Sequence, residues 1–223
     1  AGTPAPAFGA RVNAASFAPL VAPGSIASVF GAELAGATAW AAALPPPRSL
    51  AGTSVEIDGQ PVPLFYVSPQ QINLLLPRNG GETVVVVRQG VRSVTGAIRM
   101  SFWAPGLFTL DGTGRGPAAA LHADGRPITS QNPARRGETI MLFATGFGFR
   151  DPRMLRPDVL PIVRIGGISA EISYSGPAPG FSGLDQVNVR VPLEAPLGPA
   201  VPAELQLASE RSNTVTLAVG PQE

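Results

Sequence analysis

The sequence predicts an all-β chain of two tandem β-sandwiches that arose by internal duplication. Three observations carry this. Gly and Pro number 26 and 25 in 223 residues, punctuation dense enough to cut the chain into short strands and turns and to leave little room for helices. Hydrophobic residues make up 44% and charged residues 14%, a balance that fills a core and excludes a disordered chain. Four blocks of sequence recur in the same order in the two halves, the mark of a repeated structural unit.

The first block sets Pro23–Gly31 against Arg136–Ala144: a Gly, then a β-rich run with Phe30 and Phe143 at the same step. The second sets Ser54–Val62 against Ile162–Ala170. Each is a strand, a two-residue turn (Asp58-Gly59, Gly166-Gly167) and a second strand. Both dipeptides accept φ > 0 and suit a tight hairpin. The third, and the closest match, sets Gln71-Ile72-Asn73-Leu74-Leu75-Leu76-Pro77 against Gln186-Val187-Asn188-Val189-Arg190-Val191-Pro192. The fourth pairs Glu82–Val94 with Ala203–Val215. The longest stretch that passes for a helix, Ala35 to Leu44, stops at Pro45, Pro46 and Pro47.

Each half therefore holds about seven short strands with turn signals between them, the pattern of an immunoglobulin-like sandwich of roughly 100 residues. Val55 and Ile57, with Val163 and Ile165, point to one face. The seam falls near Pro105-Gly106, dividing the chain into 1–104, with an N-terminal arm, and 105–223. Phe102, Trp103, Leu107 and Phe108 across the seam predict a packed joint rather than a floppy tether.

The formal net charge is +1, and all sixteen basic residues are Arg. They are scattered singly apart from Arg135-Arg136 and the spaced Arg150, Arg153 and Arg156. That last group reads as a solvated loop. No basic cluster with interleaved aromatics marks a nucleic-acid surface, and the scatter predicts no strongly acidic partner. The chain has no Cys, which excludes disulfides and Cys-based zinc sites. No apolar run reaches the roughly 18 residues that span a bilayer. The opening Ala1-Gly2-Thr3-Pro4-Ala5-Pro6 has the small-residue character of a chain cut by signal peptidase, so a secreted or cell-surface location is expected.

Other segments carry a resemblance. Gly137–Gly148, Val163–Gly167, Gln186–Pro192 and Gly198 resemble the IPT/TIG family of immunoglobulin-like domains. Asn13–Phe17, Ala22–Ile26, Pro63–Asn73, Ala104–Phe108, Ala144–Gly148, Pro179–Asn188 and Ser212-Asn213 together resemble the Solibacter-type C-terminal domain family of exported bacterial proteins. Asp185 departs from that family's pattern, which usually has an aromatic there. The resemblance implies two IPT/TIG-like domains in an exported setting and no particular chemistry.

Catalytic candidates are few. His122, the only His, falls on a strand before the Ala123–Arg126 turn and reads as a surface residue. A general base needs a nucleophile or an orienting carboxylate beside it, and no Gly-x-Ser-x-Gly elbow occurs. The carboxylates are dispersed, with Asp58, Asp111 and Asp124 in turns and Glu56 and Glu171 on strands. The Asp111–Gly116 run resembles a Ca²⁺ loop but supplies one carboxylate, where Ca²⁺ takes six to eight oxygens; it reads as a flexible interdomain turn. No enzyme activity, cofactor or metal is expected. Asn73 and Asn188, beside Gln71 and Gln186, read as structural repeat positions that tie a neighbouring loop's backbone. Trp40, Trp103, Tyr66, Tyr174, Phe147, Phe149 and Phe181 could stack on a sugar ring, with Trp40, Phe147, Phe149 and Phe181 as the binding candidates, against the plainer reading of loop aromatics covering the sandwich ends. The function expected is a non-catalytic extracellular structural or adhesive module that contacts other extracellular domains or polysaccharide. A carbohydrate-binding module is one alternative. The other is a filament subunit that self-associates through its edge strands, exchanging the arm Ala1–Ala10 with a neighbour.

Overall fold

The computed structural model describes residues 6–148 and 159–222. Among them every regular element is a strand, and no helix is long and apolar enough to cross a membrane. The Ala35–Leu44 segment holds the two-residue strand Ala39–Trp40 and no helix. The chain is all-β, built as two immunoglobulin-like sandwiches in tandem.

The first sandwich packs two sheets face to face. One runs in the order Ala7–Asn13, Ile26–Ala32, Gln71–Leu75, Leu64–Val67, Ala39–Trp40. The other runs Arg92–Arg99, Glu82–Gln89, Thr53–Ile57, Ser49–Leu50, with Gln60–Pro61 hairpinned onto Thr53–Ile57. Alternate residues turn inward, as the period of a strand requires. Val29, Val55, Ile57, Leu64, Ile72, Leu74, Val85 and Val87 form one buried core. The arm residues Ala7 and Phe8 pair with Ala32 and Gly31 of the same sheet, so the described part of the arm is a strand of its own domain.

In the second sandwich one strand joins the two layers. Ile168–Ala170 pairs with Ile162–Ile165, while Glu171–Pro177 pairs with Asp185–Arg190 across a bulge between Ile172 and Tyr174. Thr139–Thr145 extends the second pairing. Gly198–Leu207 and Val215–Gly220 extend the first. A separate core fills this sandwich, centred on Ile140, Leu142, Val163, Ile165, Val187, Val189, Leu205 and Leu217.

The duplication shows in register. Ser28 faces Asn73 and Phe30 faces Gln71; at the matching places Met141 faces Asn188 and Phe143 faces Gln186. On the other flank Tyr66 faces Asn73 and Tyr174 faces Asn188, each beside a bulge. Both hairpin turns have positive φ throughout: 48° and 74° at Asp58-Gly59, 62° and 82° at Gly166-Gly167, as a type I′ turn demands.

Side chains lock the joint. Asn13, buried in the first sandwich, donates from Nδ2 to the Ala104 carbonyl at 2.7 Å and accepts from the N–H groups of Ala15 and Ser16 at Oδ1. Asn213 accepts from the Leu107 N–H (2.8 Å) and donates to the carbonyls of Leu107 and Gly114. Gly183 of the second sandwich seats against Leu75 and Ile26 of the first. The Asp111–Gly116 run is a closed turn: Asp111 Oδ1 accepts from Thr113 N–H and Oγ1, and Gly114 donates to Thr109 Oγ1. Expected as a flexible link, it is fixed by these bonds and packs Gly114 onto Ala15 and Phe17.

Candidate functional site

The outward face of the first sheet carries a row of side chains that the sequence spreads over 45 residues. Ile72 and Leu74 point into the core, so Gln71 and Asn73 point out. Gln71 Nε2 donates to Asn73 Oδ1 at 2.8 Å, and Ser28 Oγ donates to the same oxygen at 2.8 Å. Tyr66 stands opposite Asn73, and Trp40 opposite Tyr66. The Trp40 and Tyr66 rings meet at 5.1 Å between centroids with a 53° tilt, and Trp40 remains 68% exposed. Sequence reasoning counted both Trp40 and Tyr66 among the aromatics able to stack on a sugar but did not bring them together, because their pairing depends on register.

The second sandwich repeats part of this row. Gln186 Nε2 donates to Asn188 Oδ1, also at 2.8 Å, and Tyr174 stands opposite Asn188. Tyr174 spends its hydroxyl on the Pro177 carbonyl at 2.7 Å. The four amides were expected to hold a loop's backbone. Their side-chain bonds instead run to other side chains along and across the strands, because i and i+2 share a face and sit within reach.

The remaining aromatic candidates separate. Phe147 is 4% exposed and belongs to the second core, so its ring has no open face for a sugar. Phe149 lies outside the described residues, as do Arg150, Arg153 and Arg156. Phe181 is 54% exposed, on the loop whose Gly183 rests on Leu75, two residues from Asn73 on the same outward face.

A second feature is an open cleft of about 830 Å³ at the far side of the second sandwich, lined in part by His122, Glu138, Arg126, Arg135, Arg136 and Arg190. His122 is no surface residue: it is 7% exposed. Its Nδ1 meets Glu138 Oε1 at 2.5 Å and its Nε2 meets the Asn132 carbonyl at 3.3 Å. Glu138 Oε2 accepts from the Arg135 N–H at 2.8 Å. Both ring nitrogens and both carboxylate oxygens are therefore engaged within the fold. Among the described residues the lining includes no Ser, Thr, Tyr or Cys, so no hydroxyl or thiol nucleophile lines the cleft beside this pair. Asp124 is held below the usual carboxylate range, first by the main-chain N–H of Arg126 and then by its guanidinium, which approaches to 2.7 Å. The scatter of arginines along the sequence is not a scatter in space, because three separate segments converge here. Among the described residues no group of three His, Asp or Glu is placed to hold a metal ion.

No protein-family model matches the chain, and no curated protein does. Solved structures similar to it include the I9–I11 tandem of titin, at 9% identity over 97% of this chain and 66% of that one with a TM-score of 0.26. Another is SGBP-B of the Bacteroides ovatus mixed-linkage glucan utilization locus, in complex with a mixed-linkage heptasaccharide, at 12% identity over 91% of this chain and 44% of that one with a TM-score of 0.35. The titin domains Z1Z2 in complex with telethonin share 15% identity over the whole of both chains, with a TM-score of 0.23. The chain spans just under two thirds of the titin tandem and under half of SGBP-B. At such TM-scores the likeness carries no argument, and the fold rests on the sheet order and register described above.

Proposed function

We propose that the chain is a non-catalytic extracellular structural or adhesive module, divided at 104/105, whose two sandwiches act as one stiff body that spaces or anchors a larger surface or secreted protein. The observation that carries this is the joint. Two buried polar side chains reach into it: Asn13 of the first sandwich donates to Ala104, in the segment between the two, and Thr145 of the second accepts the Ile26 N–H of the first. A tether between independent domains needs no such lock. The exported setting rests on the resemblance to the Solibacter-type family. Small-angle scattering tests the stiffness. A single compact conformer that persists in the wild type, and loosens when Asn13→Ala and Thr145→Val are combined, supports the reading. A wild-type profile that requires a broad ensemble of interdomain angles overturns it. A broad hydrolase screen tests the absence of catalysis; turnover abolished by His122→Ala overturns that part.

A second reading, carbohydrate binding, is favoured by the Trp40–Tyr66 pair beside Gln71 and Asn73. A tilted aromatic pair supplies faces for sugar C–H groups, and side-chain amides beside it bond ring hydroxyls. Glycan arrays with Trp40→Ala as control test it, and equal binding by wild type and variant counts against this face. Strand exchange into a filament is disfavoured, since Ala7–Ala10 already lie against their own sheet.

A further inference from the structure

We infer that the arginine cleft of the second sandwich binds the carboxylate of an acidic sugar polymer, a uronate-bearing polysaccharide. This deepens the anchoring reading by naming the partner's chemistry, and it rests on that reading.

The argument begins with which charges are spent. Arg126 is paired with Asp124. Glu138 is occupied on both oxygens, by His122 and by the Arg135 N–H. Neither acid lies within ion-pair distance of Arg136 or Arg190. Arg136 donates from Nε to the Ala195 carbonyl at 2.7 Å, and Arg190 from Nε to the Gly137 carbonyl at 3.1 Å. Among the described residues neither reaches a carboxylate. Each guanidinium is held in place by a neutral main-chain acceptor, so its charge is fixed but not balanced. A planar fork oriented in this way is pre-organised for a carboxylate, because less side-chain freedom is lost when the ligand arrives.

The rest of the lining selects the kind of molecule that carries the acid. Asp124 and Glu138 line the same cleft, so its wall is not the uniformly basic surface that a nucleic-acid backbone takes. Among the described residues no Phe, Tyr or Trp lines it, so stacking of successive bases is not provided for. The amides of Gln131 and Gln222 are donors and acceptors suited to hydroxyl groups. Fixed positive charge beside hydroxyl-matching groups, in an open cleft much larger than one carboxylate, fits an acid borne at intervals on a sugar chain.

Affinity electrophoresis and calorimetry of the full chain decide it, with four probes: polygalacturonate, its methyl ester, poly-L-glutamate and dextran sulfate. The expected result is binding to polygalacturonate that weakens with added salt, with little binding to the neutral ester. Arg136→Gln and Arg190→Gln each weaken it about tenfold. Because Arg136 also bonds Ala195, Arg136→Lys serves as a second variant; it keeps the charge and is expected to bind between the wild type and Arg136→Gln. Arg99→Gln, on the first sandwich, leaves polygalacturonate binding unchanged. Equal binding to the ester, or no effect of either Gln variant in folded protein, overturns the site. Tighter binding to poly-L-glutamate or dextran sulfate overturns the assignment to a uronate. None of these outcomes bears on the scattering profile, so the ligand can fail while the stiff-module reading stands.

Discussion

The Thr145 hydroxyl of the second sandwich accepts the main-chain N–H of Ile26 in the first at 3.0 Å, while donating to Gly183 at 2.7 Å. One buried side chain thus serves a strand of the first domain and a turn of the second.

Thr145→Val keeps the shape and removes both bonds, leaving a buried N–H and a carbonyl without their partner. It is expected to lower stability by about 1–3 kcal/mol. Thr53 offers the opposite case. It is fully buried and its Oγ1 has no partner, so Thr53→Val is expected to be neutral or to stabilise by up to about 1 kcal/mol. Urea denaturation of the two variants side by side checks both; equal destabilisation would remove the special role of the joint hydroxyl.

Gly146 has φ 91°, and a Cβ there would strike the carbonyl oxygen of Ala104. Its own carbonyl accepts the Ala104 N–H at 2.8 Å, so the two backbones cannot part without losing that bond. Gly146→Ala is expected to cost about 2–4 kcal/mol through strain and crowding together. Thermal melts read the loss, and scattering reads the opened joint.

Glu138→Ala strips acceptors from both the His122 ring and the Arg135 N–H and is expected to cost about 1–3 kcal/mol. Glu138→Gln keeps one acceptor oxygen and should cost less. Denaturant midpoints that rank the two variants in the reverse order contradict this account of the pair.

Acid should destabilise the fold in one direction only. Asp111 is held below its ordinary value of 3.8, chiefly by the Thr113 N–H; Asp124 likewise by the Arg126 N–H; Glu56 below 4.5 by its bond to Arg88. Each binds its proton more weakly folded than unfolded, so its contribution is present above the ordinary carboxylate value and lost as the pH falls through the lowered one. Urea midpoints are expected to stay level from neutrality to about pH 5 and to decline below about pH 4. The groups are exposed, so salt should shrink the effect. A midpoint that rises on acidification would refute it.

The architecture was readable because turn chemistry and strand period are local: Asp58-Gly59 and Gly166-Gly167 announce their hairpins, and the Gln-x-Asn strands announce the repeat. The surfaces were less so, because they depend on register. Nothing near Trp40 in the chain signals that Tyr66, 26 positions on, will stand opposite it. Phe147, in an aromatic loop motif, gave no sign that it turns inward. His122 was taken as exposed because its partner Glu138 is 16 residues away, on the far side of the Asn132 turn. Arg136 and Arg190 meet only through the pairing of Thr139 with Arg190.

Asn213 holds Leu107 and Gly114 from 106 and 99 positions further along the chain. During synthesis at roughly 5–20 residues per second, the first sandwich can complete its own core long before that amide emerges. The clasp of Asn213 on Leu107 is therefore the last of the side-chain locks around the seam able to close, since Asn13, Ala104, Ile26 and Thr145 are all made by position 145. Until it does, the segment around Leu107 waits with its main-chain groups facing water, and the fold is assembled in a fixed order of time as well as of space.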